Sequence, residues 1–565
     1  MRWTLKPQPD KAQQDKLAQE LGIDSFLAGL LVQRGVDAFA KAKSFFRPDL
    51  NELHDPFLMK DMDVAVKRIQ KAIGNNENIL VYGDYDVDGT TSVALMSTFL
   101  LSFYDRVATY IPDRYGEGYG VSYQGIDFAA DNDFSLIIAL DCGVKAVDKV
   151  AYARDKGIDF IICDHHRPGK NLPAAVAVLD PKRDDCSYPF DELCGCGVGF
   201  KLCQAIVEAN DWDFEILIPY LDLVATAIGA DIVPIVGENR ILAYHGLNII
   251  NTSPRAGFKA IIQHLKKDVL TITDVVFIIA PRINAAGRMK HALHAVELMV
   301  TEDLLDAQRI AAEIEEYNAD RREADQSITE EAKQQIINNN EEERFTTVVF
   351  QEDWHKGVIG IVASRLIETY YRPTLVFTRS GDYLAASARS VSGFDVYNAL
   401  EQCSDFIEQF GGHKYAAGLT LKPENYLSFK ARFEEVVCAT IEKQYLTPEI
   451  KIDAILPLDS ITAKFYRILQ QMAPYGPGNM RPVFMTEKVM DTGYGKCVGK
   501  SEDHLKIKVV KKQNDRNAID AIGFNLGSKS DLVKNEDTFD IAYSINENEW
   551  NGNVTLQLML KDIKV

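Results

Sequence analysis

Ile79-Leu80-Val81-Tyr82-Gly83-Asp84-Tyr85-Asp86-Val87-Asp88-Gly89 decides the fold. A short apolar run stops at a glycine-bounded turn holding three aspartates, and a helical stretch follows from Thr90 to Leu101. This is strand, turn and helix, and the pattern returns downstream. Leu136 to Leu140 ends at Asp141-Cys142-Gly143, Phe160 to Cys163 ends at Asp164-His165-His166, and Val176 to Leu179 reads as a fourth strand. Continuous apolar runs alternating with helices indicate a parallel sheet covered on both faces. The expected class is therefore α/β, a doubly wound parallel sheet. In such a sheet the carboxyl ends of the strands share one edge, where ligands bind. That edge gathers five carboxylates and two imidazoles into one pocket.

So many like charges cannot stay ionised together without cations. Carboxylate with imidazole, and no cysteine ligand, suits Mn²⁺ or Mg²⁺ better than a structural zinc. Two ions about 3.5–4 Å apart would need a carboxylate that bridges them. A calcium loop is the competing reading of Asp-x-Asp-x-Asp-Gly, but it requires Glu at position 12. Counted from Asp84, that position is Leu95. Asp141 alone could cap a helix before Val144, and His165 with His166 alone could be surface residues. Three acidic clusters at three strand ends favour a common site.

Outward from this core the chain divides. Its 565 residues exceed one core and imply three to four domains. Residues 1–50 read as short helices. Residues 301–338 carry Ile310, Ile314, Tyr317, Ala324, Ile328 and Ile336 at helical intervals among many charges. A helix of that length spans about 57 Å at ~1.5 Å per residue, a connector rather than a core element. A second α/β pattern starts at Thr346, and short alternating segments after Pro474-Tyr475-Gly476-Pro477-Gly478 suggest a small β-barrel. A net charge of −20 requires any phosphate-binding surface to be local. Nine scattered cysteines without a zinc spacing read as reduced thiols of a cytoplasmic protein. No apolar run reaches the ~18 residues of a membrane span, and Met1-Arg2-Trp3-Thr4 opens no secretory signal.

Asp164-His165-His166 is the motif that names the DHH phosphoesterases, and the remaining motifs resemble the RecJ branch of that family. They are Gly83 to Thr91, Ala230-Asp231-Ile232-Val233-Pro234, Pro281 to Arg288, His355 to Gly360, and Gly411-Gly412-His413 with Ala416-Ala417-Gly418. They occur in family order from about residue 45 to the C-terminus. The resemblance implies a DHH catalytic domain at 51–275 after the N-terminal helical segment 1–50. A connector with the long helix follows at 276–340, a second α/β domain, DHHA1, at 341–448, and an OB-like nucleic-acid-binding domain at 449–565.

The resemblance also implies roles. Asp86 and Asp88 go to different metals, Asp141 bridges, and Asp231 with His165 completes the second site. His166 faces the substrate phosphate, and Asp164 orients the neighbouring imidazoles. Tyr82 stands where some DHH phosphatases carry a histidine ligand, which leaves Asp84 to supply that coordination. Water is the nucleophile, with no covalent enzyme intermediate. Arg114 is expected at a terminal 5′ phosphate. Arg288, Ser387, Arg389, Gly412 and His413 are expected to cradle the strand, although Gly-Gly-His alone is equally a plain turn. Ser387-Ala388-Arg389 departs from the Ser-Gly-Arg of many relatives, and the extra methyl is expected to restrict approach of a phosphate. Tyr494 and Lys496, with Lys500, His504, Lys506 and Lys508, form either a single-strand platform or a solvated β face.

The activity implied is a metal-dependent exonuclease that degrades single-stranded DNA from the 5′ end to 5′-mononucleotides, in DNA repair and recombination. The expected partners are a helicase and a single-strand-binding protein, and the expected state a monomer. Two alternatives stand beside it. One is a DHH phosphodiesterase for cyclic dinucleotides or very short RNA, against which the length and the barrel speak. The other is an inactive RecJ-like scaffold, against which the retained Asp86, Asp88, Asp141, His165 and Asp231 speak.

Overall fold

A computed structural model describes residues 1–512, 517–533, 538–550 and 552–565. The chain forms two compact units, 55–231 with 246–448, and 1–54 with 232–245 and 449–565. No helix among the described residues is long and apolar enough to cross a membrane.

In the larger unit, the first sheet is parallel and five-stranded. Its spatial order is Val107–Tyr110, Asn78–Gly83, Phe134–Leu140, Asp159–Cys163, Ala177–Leu179. The chain runs outward from Asn78–Gly83 to Val107–Tyr110, then returns to the other side of Asn78–Gly83. The order therefore reverses where Asp84 to Asp88 and Asp141 emerge, which is the crevice such folds use for ligands. The edge strand Val107–Tyr110, which precedes Arg114, is four half-buried residues with no continuous apolar run. The first helix begins at Val87 rather than Thr90, because the Asp86 carboxylate caps it by accepting from Gly89 N at 3.0 Å.

A second sheet of the same unit orders Gln409–His413, Ala416–Leu421, Tyr383–Arg389, Thr374–Ser380 and Thr347–Phe350. The long helix is Leu304–Asn338. It is not the free-standing connector its charges suggest. Ala307, Ile310 and Ile314 bury one face among the helices of the catalytic half, while Ile328, Ala332 and Ile336 share a core with Val349, Trp354, Val362 and Leu366. A narrow apolar stripe suffices to bury it along its length.

In the smaller unit, the strands between Ala454 and Lys564 form a seven-stranded sheet, and pairing of Phe484–Asp491 with His504–Val510 curls it towards a barrel. The N-terminal segment is not purely helical. Arg2–Leu5 is a strand paired in parallel with Glu449–Ile452. Leu17, Leu27, Leu30 and Leu31 share one core with Phe465, Phe484, Phe539 and Tyr543. Residues 232–245, which the sequence placed inside the catalytic domain, belong to this unit. Arg240 explains why. Its guanidinium donates to the carbonyls of Phe45, Met472, Ala473 and Pro474 and stacks on the Phe45 ring at 3.8 Å. Backbone carbonyls leave no sequence signature for such a dock.

Candidate metal centre and substrate cleft

Each acid of the crevice is placed by backbone it does not own. Asp88 is buried at the start of its helix, and its two oxygens accept from Gly195 N and Cys196 N, both at 2.7 Å. These amides open the helix Gly195–Ala209, so a helix N-terminus faces the carboxylate and favours its charge against the cost of burial. Asp141 follows the central strand with φ 57°, a left-handed conformation costly for a residue with a side chain. Its Oδ1 is buried without a hydrogen-bond partner and faces His165 Nε2 at 3.2 Å. His165 Nε2 is also 3.8 Å from Asp88 Oδ2 and 3.7 Å from Asp231 Oδ2. Asp88, His165 and Asp231 make one set of atoms within 4.8 Å of one another, and Asp141, His165 and His166 make another.

Asp164 does not face this cluster. Its carboxylate accepts from Val144 N at 2.9 Å, His165 N at 2.8 Å, His166 N at 3.1 Å and His166 Nδ1 at 2.8 Å. Asp141 caps no helix before Val144: the next helix is Val147–Asp155, without a side-chain cap, and Val144 N is held by Asp164. The other ring nitrogen of His166, Nε2, meets the Tyr119 hydroxyl at 3.2 Å. Asp84 and Asp86 lie outside both ligand sets. Asp84 is fully buried, with Oδ2 unpartnered and Oδ1 3.4 Å from Gly120 N. Tyr82 is a core residue whose hydroxyl donates to Gly120 O at 3.0 Å.

Burial first, and repulsion from Asp86 or Asp88 second, raise the carboxyls of Asp84, Asp88, Asp141 and Asp231 above the ordinary range. Burial, then His166, pushes the His165 imidazole far down, so it is a neutral ring with a lone pair to give. For His166 burial is the largest effect and opposes charge, but the hydrogen bond to Asp164 and the charges of Asp164, Asp231 and Asp88 together outweigh it and the imidazole is raised. A buried unpartnered oxygen, a neutral imidazole and convergent carboxylates fit a hard or borderline divalent cation.

The substrate residues separate into two groups. Arg114 stacks on Tyr85 at 4.0 Å, Arg288 donates to Gly357 O at 2.7 Å, and Arg389 donates to Ser387 Oγ at 3.1 Å. Burial lowers Arg288 to about 10, and Arg114, Arg321 and Arg389 add to the effect, which makes this a cluster of mutually repelling cations. Ala388 does not approach it. Strand alternation turns Ala388 into the apolar core while Ser387 and Arg389 face the other way, so its methyl restricts nothing there. Gly412 and His413 lie in a different cleft of about 450 Å³, which also includes His166, Asp164, Tyr119 and Lys145. Gly412 has φ 140°, and a Cβ there would lie 2.4 Å from Ala416 O, so glycine is required. In the smaller unit Tyr494 is exposed, with Lys496 Nζ at 5.0 Å and Lys508 Nζ at 5.4 Å from its ring.

Sequence reasoning missed three contributors. Gly195 must lack a side chain, since a Cβ would sit 2.5 Å from that of Asp141. The Gly195-Cys196-Gly197 run was the available signal. Asp180 directly follows the fourth strand, by the same rule that found the other acids. It is buried, with Oδ2 unpartnered, and burial foremost raises it to about 7. Tyr119 lies in the glycine-rich loop but had no pattern to mark it.

Residues 78–228 match the DHH family N-terminal domain, 342–439 the DHHA1 domain, and 452–562 the RecJ OB domain. The whole chain is 36% identical to the single-stranded-DNA-specific exonuclease RecJ of Bacillus subtilis, covering 71% of that protein. The protein of the same name from Escherichia coli is 32% identical over 89% of this chain and 90% of its own. The crystal structure of RecJ in complex with Mn²⁺ from Thermus thermophilus superposes with TM-score 0.86 at 26% identity, covering all of this chain and 79% of that one. A further structure, of exonuclease RecJ bound to manganese, gives TM-score 0.60 at 30% identity over 70% of this chain and 97% of that one.

Proposed function

Because this chain belongs to the RecJ family of single-stranded-DNA-specific exonucleases, we propose that it hydrolyses single-stranded DNA from the 5′ end to 5′-mononucleotides, in repair and recombination. The observation that carries this is the convergence of Asp88, Asp141, His165 and Asp231 at the strand-order reversal, beside an arginine cluster of the same unit. Asp88, Asp141, His165 and Asp231 are the residues to hold Mn²⁺ or Mg²⁺, with Asp84 and Asp86 supplying further negative charge. The bound ions supply Lewis-acid activation of water and charge stabilisation at the phosphoryl group.

The chain's own residues do the rest. Arg114, Arg288 and Arg389, with Ser387, receive the terminal 5′ phosphate, and this fixes the first phosphodiester over the acidic cluster. Water adds to that phosphorus, the bond to the 3′ oxygen of the first nucleotide breaks, and this oxygen takes up a proton. His166 is held by Asp164 in the tautomer that carries hydrogen on Nδ1, and its raised basicity lets Nε2 hold a proton for a phosphoryl oxygen. The Tyr119 hydroxyl meets that same nitrogen and helps to orient the ring.

The strand comes from a helicase and a single-strand-binding protein, acting on a monomeric enzyme. We place the enzyme in the cytoplasm, because all nine cysteines are free. The test is a strand labelled at either end, alone and as a blunt duplex, with and without Mn²⁺. The expected result is metal-dependent release of the 5′ mononucleotide first, from the single strand. Release from the 3′ end, or equal rates on blunt duplex, overturns the reading.

A further inference from the structure

Two lysines near His166 have no task in the mechanism above. Lys145 is exposed in the cleft shared by His166, Gly412 and His413. Lys182 is half-buried at the end of the next strand but one. Both are backbone-anchored. The turn bearing Lys145 is closed by Ala146 N donating to Gly143 O at 2.9 Å, and Asp164 Oδ2 holds Val144 N. Lys182 N donates to Asp180 Oδ1 at 2.8 Å. Asp164 thus fixes both the ring of His166 and the loop that presents Lys145. Lys182 lies outside the lining of this cleft, and its charge acts on the Asp180 and Asp231 carboxyls, whereas Lys145 stands in the lining itself. Burial lowers the His413 imidazole, and Lys145, His166 and Lys182 lower it further, so all four cations or potential cations share one field.

The cleft lies apart from the arginine cluster. Arg114 packs on one side of Tyr85, Tyr85 meets Tyr119 edge-on at 5.9 Å, and Tyr119 forms the wall of the cleft beside His166. Arg114, Arg288 and Arg389 are absent from its lining, whereas Val121, Val144 and Cys142 give it an apolar face. A polyanion with its 5′ phosphate at the arginines and its first phosphodiester at the acids must continue somewhere. The exposed ammonium of Lys145 beside an apolar wall suits the next phosphate and its sugar or base.

We propose that this cleft is the subsite for the nucleotide 3′ of the scissile bond, with Lys145 gripping the second phosphodiester of the strand. The assignment rests on the exonuclease reading. On it, Lys145 makes chain continuation beyond the cut a binding determinant, which separates a polynucleotide from a dinucleotide.

The probe is a 5′-phosphorylated trinucleotide, with its second linkage either natural or an uncharged methylphosphonate, assayed with Mn²⁺ against a 5′-phosphorylated dinucleotide. For the parent, neutralising that linkage should raise KM about tenfold, the worth of one charge-assisted contact. Lys145→Gln should raise KM for the natural trinucleotide by a similar factor and respond much less to the methylphosphonate. kcat should stay within about threefold, as for lost ground-state binding. Lys145→Arg should restore much of the affinity. The proposal falls if Lys145→Gln remains as sensitive to the neutral linkage as the parent, or if its KM for the dinucleotide rises as much as for the trinucleotide. If the parent leaves all three substrates intact, the exonuclease reading itself fails, and this subsite with it.

Discussion

His165 Nε2 stands 3.2 Å from Asp141 Oδ1, across two adjacent parallel strands whose ends both point into the crevice. The pair unites the two ligand sets, because His165 belongs to both. Asp141→Ala should therefore cut kcat by at least about 10³-fold, the scale for losing a transition-state electrostatic partner. Asp141→Gly separates chemistry from folding. It should be equally inactive but melt higher than Asp141→Ala, since φ 57° costs a residue with a Cβ about 1–2 kcal/mol. Hydrolysis within tenfold of the parent in either variant would refute the role of Asp141.

Metal binding should be visible without any substrate. The carboxyls of Asp88, Asp141 and Asp231 are raised by burial and then by Asp86 or Asp88, so bound cations relieve a native-state cost. At free Mn²⁺ about 100 times Kd the gain is about 2.7 kcal/mol, read as a rise in Tm by calorimetry. Asp88→Asn combined with Asp231→Asn should abolish that rise. A Tm indifferent to millimolar Mn²⁺ in the parent would count against a metal centre here.

Gly195 is predicted to matter as much as a ligand. A methyl at this position would meet Asp141 Cβ at 2.5 Å and Asp141 Cα at 2.8 Å, neither of which can swing away. The clash would also shift the amide that Gly195 gives to Asp88. Gly195→Ala should lower stability by about 1–3 kcal/mol and lower kcat more than KM changes. Steady-state kinetics with a parallel melting curve checks this, and a variant with full kcat would show that the helix start does not position the acids.

The strand-end acids were legible because a buried parallel strand writes itself as an unbroken apolar run, and Asp141 and Asp164 interrupt such runs abruptly. Their positions alone did not tell their jobs apart; only the family resemblance did. Asp164 turns to backbone amides and His166, and Asp141 towards His165, a difference set by a left-handed φ at Asp141. Residues 232–245 were misplaced because their helix is periodic wherever it docks, and its anchor, Arg240, reads carbonyls. Ala388 was misjudged by spacing alone, since period two in a strand alternates its face. Gly195 was passed over because a glycine between two cysteines draws the eye to sulfur.

Away from the site, Glu77 ties the edge of the first sheet to a helix. It accepts from Arg68 at 2.7 Å and from Ser135 Oγ at 2.6 Å. Burial opposes its charge, but hydrogen bonds from Ser135, Asn75 and Arg68 prevail and lower it from 4.5 to about 2. A depressed carboxyl contributes stability that is fully present above the unfolded value and lost as pH falls through the folded one. Glu77→Gln should therefore cost about 1–3 kcal/mol at neutral pH, and the gap from the parent should close between about pH 5 and pH 2. Urea melts across that range test it, and a gap independent of pH would assign the loss to packing.

The last prediction concerns the smaller unit. Removing its strands from Pro474 onward would be uninformative, because Phe484, Phe539 and Tyr543 share a core with Leu17, Leu27 and Leu30. Point changes are cleaner. Tyr494 is exposed, and Lys496 and Lys508 lie near its ring, so the ring carries no fold contact that a base could not replace. Tyr494→Ala should weaken binding of a long strand by roughly tenfold or more, given about 1–3 kcal/mol per stacked base. Lys496→Gln should act differently, flattening the dependence of log K on log salt by about 0.7 for one lost phosphate contact on a single strand. Both should raise KM for long strands with little change in kcat, because a platform that touches only the unreacting part of the strand acts on the ground state. A trinucleotide should suffer less than a long strand. Measuring KM for both lengths at two salt concentrations separates the outcomes. If Tyr494→Ala leaves long-strand affinity intact while melting as the parent does, the face around Tyr494 is a solvated β surface, and strand binding belongs to the catalytic unit alone.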